Sequence, residues 1–94
     1  MSTEAFALDD AWRLHPRVAV RPERFGALLY HYGTRRLSFL KSPDLLAVVR
    51  NLDAAPSARA ACERAGITAA QLPAYRTALA TLASSSMICA KEPV

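Results

Sequence analysis

The spacing of apolar residues changes period along this chain, and the changes mark its elements. Arg17-Val-Ala-Val-Arg21 alternates and is β-branched, which reads as a short strand. Pro22 ends it or sits where no backbone donor is needed. From Phe25 to Lys41 two apolar runs flank Gly33-Thr34. A Gly-X pair suits a two-residue type II′ hairpin turn, with glycine supplying the positive φ. The register then follows: Tyr32 opposes Arg35, His31 opposes Arg36, and Tyr30 opposes Leu37. Leu29 opposes Ser38, Leu28 opposes Phe39, and Ala27 opposes Leu40. Side chains alternate between faces. One face carries Leu28, Tyr30, Leu37 and Phe39, and the other carries His31, Arg36 and Ser38 among smaller apolar groups. A one-residue slip would put the aromatic set in water, so the pattern fixes the register; the aromatic face is expected to pack on helices and the second to be mostly solvated.

After Lys41 the period becomes helical. Ser42 as N-cap, Pro43 in the first turn and Asp44 beside the positive end of the dipole start a helix through about Leu52, with Leu45, Val48, Val49 and Leu52 inward. Ala55-Pro-Ser57 opens a second, short helix through Ala65, closed by Gly66, with Ala58, Ala61, Cys62 and Ala65 inward. Thr68-Ala-Ala-Gln71 fits a capping box. Pro73 then means that the first turn is separate or that the helix proper starts at Leu72. Leu72, Tyr75, Leu79 and Leu82 form its stripe, and Ser84-Ser-Ser86 ends it. Met87-Ile-Cys89 is a last apolar patch of extended character. Trp12 and Leu14 lay bulk against the domain edge. A flexible segment is expected over 1–11, one domain over 12–88 and a tail over 89–94. Three strands then three helices make an α+β domain with the helices on one face of an antiparallel meander.

Charge changes this picture more than composition does. The chain has 94 residues, 52% of them hydrophobic, and a formal net charge of +4, enough for one domain with a modest core. Arg13, Arg17, Arg21, Arg24, Arg35, Arg36 and Lys41 lie within 13–41 against Glu23 alone. A basic strand region suits an acidic partner. Cys62 and Cys89 match no metal or redox spacing and are expected as reduced thiols, one buried and one peripheral. No apolar run reaches membrane-span length, and no basic run precedes an apolar one at the N-terminus, so a cytoplasmic protein without a signal peptide is expected.

Catalytic chemistry is missing. His15 and His31 have no partner at a recognisable spacing, and His31 is assigned to the solvated face. Asp9 and Asp10 read as part of the flexible segment. There is no Gly-rich phosphate loop, zinc pattern or cluster-binding cysteine set. No catalytic residue, metal ligand or cofactor is assigned. The pattern is that of a protein that binds.

The segment Trp12-Arg-Leu-His-Pro-Arg-Val-Ala-Val-Arg-Pro-Glu-Arg-Phe-Gly-Ala-Leu-Leu-Tyr-His-Tyr-Gly-Thr-Arg-Arg-Leu-Ser-Phe-Leu-Lys resembles the N-terminal half of the MftB family of mycofactocin-biosynthesis chaperones. Leu46-Ala-Val-Val, Ala58-Arg-Ala-Ala-Cys, Ala78-Leu-Ala-Thr-Leu and Met87-Ile resemble it further on. That family is similar to the PqqD-like recognition domains for ribosomally made, modified peptides. The resemblance covers about residues 12–88. It implies a winged-helix-like β3α3 domain and no enzymatic activity of its own. It also implies binding of the mycofactocin precursor leader and delivery to a radical S-adenosylmethionine maturase, which decarboxylates and cyclises the peptide's C-terminal Val-Tyr. In related domains the leader adds as a strand to the outer edge of the third strand, beside the third helix. Carried onto this chain, the peptide site comprises Arg35, Arg36, Leu37, Ser38, Phe39, Leu40 and Lys41 from the strand. Tyr75, Arg76, Leu79, Leu82 and Ala83 join from the helix. Acidic leaders single out Arg35, Arg36, Lys41 and Arg76 as contacts. The competing reading is a winged-helix nucleic-acid binder. Leu72–Ser85 carries Arg76 as its only base, which leaves little to meet phosphates or guanine edges.

Overall fold

The computed structural model describes residues 6–91. Residues 1–5 of the expected flexible segment and 92–94 of the expected tail lie outside them. The elements run β1 (Trp12–Leu14), β2 (Val18–Glu23), β3 (Gly26–His31), β4 (Arg36–Leu40), α1 (Pro43–Asn51), α2 (Ala58–Arg64), α3 (Leu72–Ser84) and β5 (Ile88–Ala90). β2, β3 and β4 form the antiparallel meander in that order, and the three helices follow it. The α+β reading therefore stands. β1 and β5 add an antiparallel two-stranded sheet, pairing Arg13 with Cys89 and Leu14 with Ile88.

Local chemistry sets the helix ends as the residue pattern requires. Ser42 accepts the Leu45 N–H at 3.1 Å and Ser57 accepts the Ala60 N–H at 3.1 Å. Thr68 and Gln71 cap each other over a separate turn, with the Thr68 N–H on Gln71 Oε1 at 2.9 Å, and α3 begins at Leu72. Gly66 ends α2's region at φ +84°, where a side chain would be strained.

The hairpin register is the expected one from Ala27↔Leu40 to His31↔Arg36, but its burial is reversed. Ala27, Leu29 and Leu40 are fully buried and His31 is 4% exposed, whereas Leu37 and Phe39 are each 59% exposed. Leu28 and Tyr30 are half-buried on the outer side. The core holds Val48 and Val49 of α1 against this inner face. Small and aliphatic inner residues let the helix approach the sheet, which the aromatic face would prevent. Phe25 and Phe39 instead meet on the outer face at 6.2 Å between rings, and Tyr30 meets Tyr32 edge-on at 5.3 Å.

The hairpin loop also differs from the two-residue turn. Residues 32–35 form it, the Arg35 N–H closes on the His31 carbonyl at 2.7 Å, and Arg35 carries the positive φ of 61°. His31 holds the loop from within, because its Nδ1 accepts the Gly33 and Thr34 N–H groups at 3.0 and 3.1 Å. A Cβ on Gly33 would stand 2.9 Å from the His31 ring, so the glycine makes room for the imidazole rather than for a turn angle.

The described residues of the lead-in and the tail make contacts with the rest of the domain. Phe6 and Leu8 join the core, and Phe6 packs on Trp12 at 5.0 Å between rings. Asp9 pairs with Arg59 at 2.7 Å, and that guanidinium holds its carboxyl below the usual range. The Lys91 ammonium donates to the Asp53 and Ala55 carbonyls.

Candidate functional site

β2 and β4 are the two edges of the meander, and backbone parity makes them unequal. The Tyr32 N–H donates to the Arg17 carbonyl at 2.8 Å. In an antiparallel ladder both groups of a residue point to the same side and alternate along the strand. Tyr30 and Leu28 therefore pair with Ala19 and Arg21, while His31, Leu29 and Ala27 pair with Arg36, Ser38 and Leu40. The groups left facing the outer edge of β4 are those of Leu37 and Phe39. On β2 they are those of Val18, Val20 and Pro22; the Val18 N–H is taken by the His15 carbonyl at 2.9 Å, and Pro22 has no donor. One edge is blunted by proline, and the other keeps both donors and both acceptors.

Beside the intact edge lies a cavity of about 530 Å³ lined by Leu37, Ser38, Phe39, Lys41, Leu45, Ala78, Thr81 and Leu82. Its walls are mainly apolar and come from β4, α1 and α3. A second cavity, about 380 Å³, lies towards the hairpin loop and is lined by Thr34, Arg36, Ser84, Ser85 and Ser86. The two follow β4 from Lys41 back to Arg36.

Of the residues assigned from the sequence, Leu37, Ser38, Phe39, Lys41 and Leu82 line the first cavity and Arg36 lines the second. Leu40 and Leu79 are fully buried in the core, so neither offers a surface to a partner. Tyr75 and Ala83 are half-buried and packed against the core, while Arg76 and Arg35 are exposed away from the lining. Leu45, Ala78 and Thr81 were missed. Ala78 and Thr81 lie four and one residues before Leu82 of the core stripe, so the flank of that stripe was the available signal.

His15 and His31 stack at 4.4 Å between ring centres. The His15 Nδ1 accepts the Arg17 N–H at 3.0 Å. Desolvation, with the neighbouring His31, Arg13 and Arg17, pushes the His15 imidazole below its ordinary value. Both Nδ1 atoms serve as acceptors, which fits them for holding turns. Burial pushes the free Cys62 thiol up, and a protonated buried thiol is inert. Among the described residues no group of three or more His, Cys, Asp or Glu could hold a metal, and no helix is long and apolar enough to cross a membrane.

The model of the peptide chaperone MftB family matches residues 11–89. The peptide chaperone MftB of Mycobacterium ulcerans is 54% identical over 88 residues, covering 94% of this chain and 81% of that protein. The protein of the same name from Mycobacterium tuberculosis is 53% identical over 87 residues, covering 93% and 80%. That from Mycolicibacterium smegmatis is 50% identical over 88 residues, covering 94% and 86%. No solved structure matches the chain.

Proposed function

The chain belongs to the peptide chaperone MftB family, a family of non-catalytic peptide binders, and from that premise we propose that it takes its peptide as an added strand on β4. The observation that carries the reading is the outer edge of β4, with the backbone groups of Leu37 and Phe39 open beside the apolar cavity. Strand addition obtains affinity from main-chain bonds and specificity from pockets for alternate side chains. The two residues offer four backbone groups, each bond contributing roughly 0.5–1.5 kcal/mol net. Ordering a flexible peptide opposes that gain. The cavity must therefore contribute through apolar burial, at about 25 cal/mol per Å² removed from water.

The reading extends to the identity of the partners. The resemblance over 12–88 implies that the peptide is the leader of the mycofactocin precursor and that the recipient is a radical S-adenosylmethionine maturase. The chain supplies binding and orientation, and the recipient supplies the chemistry. Nucleic acid and membrane are not partners in this reading.

Amide exchange with and without the synthetic precursor leader tests it. Slower exchange at Leu37 and Phe39, with perturbation across 78–82 and little change along β2, is expected. Protection on β2 with none on β4 overturns the choice of edge. Tighter binding to duplex DNA than to the leader at physiological salt overturns the function.

A further inference from the structure

The second cavity differs from the first in kind. It holds Arg36, three serines and Thr34, and it lies on the same edge strand. No ion pair engages Arg36 among the described residues, where the acidic partners of such pairs are Glu23, held by Arg21, and Asp9, held by Arg59. By register Arg36 lies on the inner face with Ser38 and Leu40, opposite His31. The end of α3 exposes carbonyls that would repel an anion, but those of Thr81, Leu82 and Ala83 are already engaged. Ser84 Oγ donates to the Thr81 carbonyl at 2.9 Å, and Ser85 Oγ donates to the Thr81 and Leu82 carbonyls at 3.1 and 3.2 Å. The Ser84 and Ser85 hydroxyl protons are thus directed at the helix. The Arg36 guanidinium and the hydroxyls of Thr34 and Ser86 are left to donate into the cavity.

We infer that this polar cavity is a subsite for one acidic side chain of the bound peptide, so that the ligand carries a defined pattern and not merely a negative charge. The inference rests on the strand-addition reading above. Residues directly opposite in an antiparallel pair put their side chains on the same face. A peptide antiparallel to β4 therefore turns three successive alternate residues towards the helices, opposite Leu40, Ser38 and Arg36 in its own N-to-C direction. The first two meet the apolar cavity, and the third meets the guanidinium. The pattern is apolar, any residue, apolar, any residue, acidic. An acid one position earlier points to the outer aromatic face and is not read.

Labelled extended decapeptides are the probes, titrated by fluorescence anisotropy. The parent carries Leu at positions 4 and 6 and Glu at position 8. One variant has Gln at 8, one has the Glu moved to 7, and one has the Glu moved to 2, where a parallel strand would present it to Arg36. The parent is expected to bind about three- to tenfold more tightly than all three, the range of a single partly exposed charge-assisted pair. The preference should shrink as salt is raised. Arg36→Gln should abolish the preference, read as the ratio of Glu-peptide to Gln-peptide affinity within the same variant. Arg36→Lys should keep part of it. Equal binding of the Glu and Gln peptides overturns the subsite while leaving strand addition intact, and so does a preference that survives Arg36→Gln. Preference for Glu at 2 overturns the antiparallel direction. Failure of every peptide, and of the full leader, overturns the groove itself.

Discussion

A proline scan of β4 separates the two sides of the strand. Ser38 pairs back to Leu29 in the interior of the sheet, whereas Phe39 turns its N–H to the open edge. Ser38→Pro removes a ladder bond and leaves the Leu29 carbonyl without its donor beneath a fully buried side chain. An orphaned buried group costs about 1–3 kcal/mol, which lowers the Tm of a domain this size by roughly 5–20 °C. Phe39→Pro removes no internal bond, and its side chain is already 59% exposed. Its Tm should fall by less than about 5 °C, the equivalent of less than about 1 kcal/mol. In the complex, however, it forfeits one backbone bond of roughly 0.5–1.5 kcal/mol, a two- to tenfold loss of affinity. Phe39→Ala is the reference, because it removes the ring and keeps the donor. Thermal unfolding followed by circular dichroism, together with leader titration by fluorescence anisotropy, gives both quantities. A severe Phe39→Pro and a mild Ser38→Pro in the unfolding series would mean that the parity is inverted. Equal leader affinity for Phe39→Pro and Phe39→Ala would mean that no backbone bond forms there.

Three further outcomes are expected. Leu29→Ala should cost about 2–5 kcal/mol and Leu37→Ala under about 1 kcal/mol, because the former is fully buried and the latter 59% exposed; equal losses in urea titrations would refute the face assignment. Gly26→Ala should cost roughly 3 kcal/mol or more against about 1 kcal/mol for Gly66→Ala, since a Cβ at Gly26 would meet the Leu40 carbonyl and the Ser42 backbone while one at Gly66 meets nothing; comparable Tm values would refute it. The His15 imidazole is depressed in the folded state by burial first and then by His31, Arg13 and Arg17, so the unfolded chain binds the extra proton below about pH 6.5. His15 should therefore favour stability fully above that pH and progressively less as pH falls, and a His15→Gln protein whose Tm falls equally steeply between pH 7.5 and 5.5 would refute this.

The sequence carried the ladder more clearly than the depth. Alternation and the paired apolar runs specify the register from Ala27↔Leu40 to His31↔Arg36. Which side faces the helices was not legible from bulk, because both sides carry apolar residues and the larger set is the exposed one. The usable signal was smallness: Ala27 opposite Leu40 leaves room for Val48 and Val49. His31 looked like a surface residue because its hydrogen-bond partners are backbone N–H groups of its own loop, which no side-chain spacing reveals. Gly33 marked the loop for the wrong reason, since Arg35 takes the positive φ. Helix caps were legible because each is a contact within three residues. The pairing of β1 with β5 was not, since nothing local in three-residue strands tells Trp12 to meet Ala90. For the candidate site, the edge strand was readable from chain order, but the helix side was assigned to the core stripe. Leu79 sits at its fully buried centre, and the cavity opens along the flank at Ala78 and Thr81.

An open edge with Leu37 and Phe39 exposed would ordinarily invite a second copy of the same strand. The charges at its ends oppose that. Two β4 strands meeting antiparallel in register would set Arg36 and Arg35 of each copy near Lys41 of the other, on molecules that each carry a formal net charge of +4. Like charges directly opposite are destabilising in a sheet. An acidic peptide reverses the sign of each of those encounters while making the same backbone bonds. On the strand-addition proposal, the basic ends of β4 would discriminate between two ligands that the hydrogen-bonding edge alone could not tell apart. That discrimination needs no ion pair strong enough to dominate affinity, because specificity is the difference between a repulsive pairing and an attractive one.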